Sequence, residues 1–410
     1  MSLLLDIRPL RSSPAFRRLW LGLALSTLGG QLALVAVLHQ TWELTASPVA
    51  VGAVGLAQAV PMIALGAVGG TLADAVDRRR LVLAATLGQI LVAGLLAAQA
   101  LAGVGSLAVL LALVSLQAAC GALGAPARRT FVARLLPADQ VGAGVALTSL
   151  GFQAAMLLGP AIAGVVAARW GVGACYTVDA LTFLAALYGV VRLPAIRPDG
   201  ETARPGLRAI GAGWRFVGRS RPLSGAFLSD LFATVLAMPV ALFPVVNEER
   251  FGGSPQTLGL FLSAIAVGGI ASGLASGTVS RARRPGLVML VAGGVWGLAL
   301  AGFGAASPLW LVLGCLAVAG AADTVSVICR GAIVQLATPD VYRGRVSAVE
   351  DLVGRGGPDL GNFRAGLVAG ATSAGFAAVS GGLLCVLGIA VLAATNRSLR
   401  RFTHRADTPV

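Results

Sequence analysis

The stretch GGTLADAVDRRRLVL, residues 69–83, decides how this chain is read. One long apolar run ends inside it and the next begins at Leu81. Between them, five of the seven positions from Asp74 to Arg80 carry charge. Elsewhere charge is scarce: 12% of all residues are charged and 57% are hydrophobic. A soluble domain carries roughly a quarter charged residues, so too little polar surface remains to cover a water-soluble globule. The charges instead sit in short connections between apolar runs. Those runs are about 20 residues long, the length of a membrane-spanning helix. Helices are the reading for such lengths, because backbone polar groups in lipid must pair within the segment.

Twelve such segments can be drawn, at about 19–40, 48–73, 81–102, 106–126, 142–168, 171–191, 223–246, 256–279, 286–305, 308–329, 346–369 and 372–394. The arginines test the count. With both termini in the cytoplasm, 27 of the 31 arginines fall on the cytoplasmic side. Only Arg169 and Arg250 fall opposite, and Arg355 and Arg364 lie inside segment 11. Cytoplasmic loops attract arginine in this way, and one segment more or fewer would scramble the alternation. Arg8, Arg11, Arg17 and Arg18 precede a first run longer than the core of a cleavable signal, so that run reads as the first span.

Composition also excludes several functions. The net charge of +14 does not indicate nucleic acid, since the arginines form no basic face and no aromatic stacking platform. The five cysteines have no metal-site spacing and read as small buried hydrophobes. His39 and His404 are too far apart for a metal or nucleophile–base site, which argues against an enzyme. No nucleotide-binding motif is present, so no cofactor is expected and ATP is not the driving force.

The longest connection, 192–222, divides the chain and holds four prolines and seven arginines. Within it, GLRAIGAGWRFVGR places Leu207, Ile210, Trp214 and Val217 on one stripe, which predicts a short helix lying in the cytoplasmic interface. The expected organisation is an N-terminal six-helix bundle over 1–191, this linker over 192–222, a C-terminal six-helix bundle over 223–396 and a basic cytoplasmic tail over 397–410. The halves resemble each other. GGTLADAVDRRRLVL parallels SGTVSRARRPGLVML, with Gly70-Thr71 matching Gly277-Thr278, and RTFVARLLPADQ from Arg129 parallels RGAIVQLATPDV from Arg330. A duplicated six-helix unit in parallel orientation is one of the repeat architectures of secondary transporters.

The opening stretch is similar to the signature between helices 2 and 3 of the major facilitator superfamily, G-x-L-x-D-R-x-G-R-R. Gly70, Leu72, Asp74, Arg78 and Arg79 match, while Ala75 and Asp77 replace the usual arginine and glycine. SSPAFRRLWLG, ARRPGLVML and ATPDVYRGRVSAV look like the branch of exporters similar to the bacterial enterobactin exporter. This resemblance spans essentially the whole chain. It implies an all-α membrane protein, twelve transmembrane helices in two six-helix bundles with pseudo-twofold symmetry. It also implies that Asp74 faces the N-terminal end of segment 11 and, with Gly70 and Arg78, holds a cytoplasmic gate. Arg79 and Arg80 read instead as topology signals meeting anionic lipid. Gly159, Pro160 and Gly164 in GFQAAMLLGPAIAG resemble the antiporter signature of helix 5, where a Gly-Pro pair bends the helix and favours export. One feature departs from the family: segment 4 offers only Gln117 where drug–proton antiporters often carry an arginine.

Charges inside spans are functional candidates, because burying them in the membrane costs several kcal/mol. Asp230 in segment 7 and Asp323 in segment 10 are candidates for proton or substrate binding, and Asp179 in segment 6 reads as structural. Segment 11 carries Glu350, Asp351, Arg355, Asp359 and Arg364. Asp351, Arg355 and Asp359 recur every four residues and can form a ladder on one face. Arg355 is the expected partner of a buried acid, with Asp323–Arg330 a further possible pair. The stretch GRGGPD predicts a break in segment 11 that frees carbonyls. Gln31, Gln58, Gln89, Gln117 and Gln153 are polar residues that line a cavity or join helices.

The expectation is therefore a monomeric protein of the bacterial cytoplasmic (inner) membrane. It exports a small amphipathic molecule, a siderophore or a lipophilic drug, by alternating access driven by the proton gradient. Its other contacts are with membrane lipid, and no nucleic-acid partner and no metal are expected. An importer, or a membrane scaffold or receptor that transports nothing, are the alternative readings.

Overall fold

The computed structural model describes residues 6–195, 207–279 and 281–403. Among them every regular element is helical. The first half holds α1 (Pro14–Thr45), α2 (Pro48–Ala75), α3 (Arg78–Leu101), α4 (Leu107–Arg129) and α5 (Ala138–Val191). The second begins with the linker helix α6 (Leu207–Arg219), followed by α7 (Arg221–Leu231), α8 (Phe243–Phe251), α9 (Pro255–Leu274) and α10 (Pro285–Ala305). It ends with α11 (Leu309–Ala337), α12 (Arg343–Ala371) and α13 (Ala374–Thr395). Ten helical stretches among the described residues are long and apolar enough to cross a membrane. The chain is a multi-pass membrane protein.

Two compact units emerge from the packing. The first comprises residues 1–45, 57–204 and 254–263. Its tightest seam joins α1 to the end of α5, where glycines bring backbones together. A Cβ at Gly22 would stand 2.7 Å from the Ala185 carbonyl, and one at Gly189 would stand 2.8 Å from the Arg18 carbonyl. Small residues serve membrane helices this way, since lipid supplies no hydrophobic push and dispersion must hold the pair. Helix α5 is 54 residues long and turns at Gly171, whose φ of 79° and ψ of 171° only glycine adopts readily. Near the seam lies a buried neutral network. The side-chain amides of Gln40 and Gln99 exchange hydrogen bonds at 3.1 and 3.0 Å, and the Tyr176 hydroxyl donates to the Gln40 carbonyl oxygen at 2.8 Å.

The second unit comprises residues 46–56, 205–253 and 264–410. Segment 7, expected as one helix, is broken. Helix α7 passes into a π-helical turn at Phe232–Leu236, leaves helical geometry at Ala237 (φ −130°, ψ 29°) and re-forms through a 3-10 turn at Val240–Leu242 into α8. Pro239 is the cause: it has no N–H to give and disfavours helical backbone at Met238. Neighbours satisfy the freed groups. Trp296 Nε1 donates to the Ala233 carbonyl at 3.2 Å, and the Arg364 guanidinium donates to the Leu236 carbonyl. Asn362 Oδ1 accepts from the Ala241 amide at 3.1 Å.

The break predicted for segment 11 is absent. Helix α12 runs through Gly354, Gly356, Gly357 and Pro358 as one helix of 29 residues. Its glycines instead admit the broken neighbour: Gly357 lies against the Thr234 side chain and Gly361 against the Thr234 carbonyl. The linker forms the expected helix, and it packs on α12. Phe216 stacks on Tyr342 at 4.4 Å and Val217 is buried, whereas Trp214 is 40% exposed. The side chains of Leu207 and Ile210 lie outside the described residues.

Candidate functional site

In the second unit, three helices bring their charges together. Asp230, one turn before the π-helical break, and Arg330 on α11 are both buried and form an ion pair. Glu350 on α12 is half-buried, its Oε1 standing 3.8 Å from Arg330 Nε. Asp323, two turns before Arg330 on α11, lies within Coulombic range of Asp230 and Arg330. Its side chain is exposed, unlike that of Asp230. Three acids thus surround one arginine. A buried ion pair of this kind holds only while both members are present, because either alone would be an uncompensated charge.

Arg330 corrects two expectations. The apolar run stops at Cys329, which suggested that Arg330 begins a cytoplasmic loop. It lies instead inside α11. It also takes the role expected of Arg355, which is exposed, and its partner is Asp230 rather than Asp323. Of the ladder residues, Asp351 is exposed and Asp359 half-buried. The Asp359 carbonyl lies 2.7 Å from where a Gly55 Cβ would stand, so α12 meets the first turns of α2 within the same unit.

In the first unit, Gly159, Pro160 and Gly164 lie buried on α5. A Cβ on Gly164 would stand 2.7 Å from the Pro255 carbonyl, and one on Gly259 would stand closer still to the Pro160 carbonyl. Ser263 donates to the Leu157 carbonyl at 2.9 Å. The Gly-Pro stretch therefore receives the first turns of α9, which belong to this unit.

In the opening stretch, the Asp74 side chain lies outside the described residues. Close approach occurs at Gly69, whose Cβ would meet the Ala122 carbonyl at 2.7 Å, while Gly70 faces open space. Asp77 caps α3 by accepting from the Arg79 amide at 2.9 Å. Arg78 Nε donates to the Ala73 carbonyl at 3.1 Å, and Arg79 donates to the Val191 carbonyl. Both guanidiniums sit at the C-terminal ends of helices, where carbonyls lack partners and the helix dipole is negative. Arg79 thus holds two helices together in addition to any meeting with lipid.

The family model described as Transmembrane secretion effector (MFS_3) matches residues 6–409. The chain belongs to the major facilitator superfamily. The Enterobactin exporter EntS of Citrobacter koseri is 30% identical over 421 residues, covering 100% of this chain and 98% of that protein. The protein of the same name from Shigella boydii is 29% identical, covering 98% of this chain and 96% of its own length. Two solved transporters share the fold at low identity. A bacterial homologue of the iron transporter ferroportin has a TM-score of 0.70 at 16% identity, with 93% of this chain and 99% of that one covered. The nucleoside transporter NupG has a TM-score of 0.72 at 14% identity, with 95% and 100% covered.

Membership in the major facilitator superfamily makes the chain a transporter rather than an enzyme. Among the described residues no group of three His, Cys, Asp or Glu could hold a metal. Sequence reading picked out Arg364 as a charge in segment 11 but not its role, and passed over Asn362, Gln40 and Gln99. Arg364 and Asn362 mend the break at Ala237, and the only signal for it was Pro239 within an apolar run. Gln40 and Gln99 form the neutral network, yet neither stood out among the glutamines. Gln89, which did, accepts from Arg128 at 3.4 Å.

Proposed function

We propose that this transporter is a proton-driven exporter of a small amphipathic molecule, working by alternating access as a monomer in the bacterial cytoplasmic membrane. The printed activity of its relatives makes a siderophore the first substrate class to test and a lipophilic drug the second. Twelve crossings follow if α5 crosses twice, turning at Gly171, and if α12 crosses despite its charges. The distribution of arginine then puts both termini in the cytoplasm.

One observation carries the proton coupling: three acids, Asp230, Asp323 and Glu350, gather around the single guanidinium of Arg330. Such a cluster at membrane depth carries surplus negative charge, and a bound proton offsets part of it. Asp230 is committed to Arg330, so Asp323, which is exposed, is the acid assigned to exchange protons. Proton binding there weakens the hold of the acids on Arg330 and biases the equilibrium between the two access states. Asp74 belongs to the same proposal as the gate residue, on the strength of its place in the signature.

Everted membrane vesicles with an imposed pH gradient test this reading, using candidate siderophores and dyes as cargo. Asp323→Asn is expected to abolish gradient-driven movement while leaving exchange without a gradient intact. Full gradient-driven transport by Asp323→Asn would remove the cluster from the coupling mechanism.

A further inference from the structure

The linker helix α6 has two unlike sides. One is docked on α12. A Cβ at Gly213 would stand 2.6 Å from the Arg345 carbonyl, and Phe216 stacks on Tyr342 at 4.4 Å. The Arg345 guanidinium lies 5.3 Å from the centre of the same tyrosine ring. Val217 is buried in one cluster with Val346, Val349 and Val353 of α12. Val349 adjoins Glu350, which approaches Arg330. The docked turns of α12 therefore run directly into the acid cluster.

The other side is bare. Gly211, Trp214, Arg215, Gly218 and Arg219 recur at the three- and four-residue spacing of one helix face, and all are exposed. Arg215 and Arg219 have no partner among the described residues. No acid occurs in the sequence from 202 to 229. The basic face continues past the helix. Arg221 opens α7, and Asn396 Nδ2 donates to its carbonyl at 2.8 Å, which sets the exposed Arg397 beside it. An exposed indole among exposed arginines is ill suited to water. It suits the membrane interface, where tryptophan rings sit at headgroup level. Clusters of about four to eight basic residues beside a span attract anionic headgroups, and the guanidinium fork matches two phosphate oxygens.

We infer that Arg215, Arg219 and Trp214 bind the headgroup of an anionic phospholipid, and that this contact holds α6 against the first turns of α12. The inference rests on the cytoplasmic placement proposed for the linker, and it adds a ligand for the linker and a lipid-dependent support for α12.

The test uses the full-length protein in nanodiscs and needs no transport. Quenching of tryptophan fluorescence by dibrominated phosphatidylglycerol is compared with quenching by dibrominated phosphatidylcholine. Trp214→Phe supplies the background of the other tryptophans. The share due to Trp214 should show a preference for phosphatidylglycerol. Each arginine contributes about fivefold to it, which is ~1 kcal/mol. Arg215→Gln and Arg219→Gln should each lower the preference by that factor, and the double variant should erase it. Arg215→Lys should keep most of it, which guards against misfolding, and Arg169→Gln, distant in the other unit, should keep all of it. Equal quenching by the two lipids means that the face meets water or an acidic soluble partner, and overturns the assignment. Amide hydrogen exchange over residues 343–350 then tests the support of α12. Phosphatidylglycerol should slow it several-fold in the wild type but not in the double variant. Phe216→Ala should keep the lipid preference and lose the slowing. A lipid preference with unchanged exchange in the wild type sinks the support of α12. Vesicle transport keeps the readings apart: lipid selectivity without any transport sinks the export reading alone, and transport without lipid selectivity sinks this inference alone.

Discussion

Helix α1 runs unbroken for 32 residues, whereas the matching stretch of the second half, Arg221–Phe251, unwinds in its middle. The offset of 207 that aligns Gly70 with Gly277 sets Ala237 opposite Gly30. At Gly29 and Gly22 the first helix keeps its hydrogen bonds and uses missing side chains to press against α5. Around Pro239 the second helix gives up its ladder and borrows partners from Trp296, Asn362 and Arg364. The polar groups follow the same division. The first unit buries Asp179 alone beside a neutral network of amides and a phenol, and the second buries an ion pair next to its irregular turn. The two units thus differ: one keeps its first helix unbroken, and the other combines a buried ion pair, π-helical backbone and borrowed hydrogen bonds. Single-turn π-helical insertions are frequent at functional sites, which supports the coupling proposed for the second side.

The largest effect should come from Arg330→Leu. It leaves Asp230 buried without its partner, a loss of about 3–5 kcal/mol for a broken buried pair. Thermal unfolding in detergent should report a much lower transition, or no folded protein at all. The double variant Asp230→Asn/Arg330→Leu should recover most of the stability, because the uncompensated charge is gone, while gradient-driven transport stays lost. A double variant no more stable than Arg330→Leu alone would mean that the pair is not the reason Arg330 matters.

Gly361→Leu comes next. Its side chain would enter the space of the Thr234 carbonyl and the Met238 side chain, where backbone cannot yield. Overpacking typically costs about 1–3 kcal/mol, and here it falls on the broken helix. Transport should drop more than unfolding temperature does. The same substitution at Gly30, which faces open space, should be silent in both measurements. Equal effects at Gly361 and Gly30 would erase the contrast between the two helices.

How much of this was legible follows from what each feature needs. Apolar length and arginine placement are local properties, so the runs, their loops and the family signature could be read directly. Partnership is not local. Arg330 follows an apolar run and looks like the start of a loop. Only the arrival of Asp230, one hundred residues earlier in the chain, reveals a buried guanidinium. The glycines and Pro358 of α12 look like a helix break. They act instead as space for the neighbouring helix, whose own break rests on the less conspicuous Pro239. Asp230 and Asp323 were both visible as membrane acids, but no spacing rule tells which of them holds an arginine.

Gln40→Leu tests the neutral side of the comparison. It removes three side-chain hydrogen bonds, two with Gln99 and one with Tyr176. Hydrogen bonds between membrane helices average about 0.6 kcal/mol each, so a loss of roughly 1–2 kcal/mol is expected. Unfolding temperature should fall modestly, and gradient-driven transport per folded molecule should stay close to wild type. A variant with normal stability and abolished coupling would place proton chemistry in the first unit and dissolve the division drawn here.

The smallest effect is expected in the two signature stretches, which differ in one respect that matters for gating. GGTLADAVDRRRLVL carries Asp74 and Asp77 among its arginines, and SGTVSRARRPGLVML carries no acid. Asp77 has a structural role as the cap of α3, so Asp74 is the acid left for a gate. A carboxylate at a helix N-terminus is worth about 0.3–1 kcal/mol when exposed, and a ligand or contact shifts a two-state equilibrium only by its differential free energy. Asp74→Asn should therefore leave insertion and unfolding temperature unchanged and move the population of access states by a few-fold. Cysteine-accessibility labelling from each side of the membrane measures that population. The control is Asp77→Ala, which should weaken the α3 cap by about 1 kcal/mol and lower stability without shifting the labelling ratio. If the two variants give the same labelling as wild type, the acid of the first stretch is no gate, and the difference between the halves lies wholly in the broken helix and its charges.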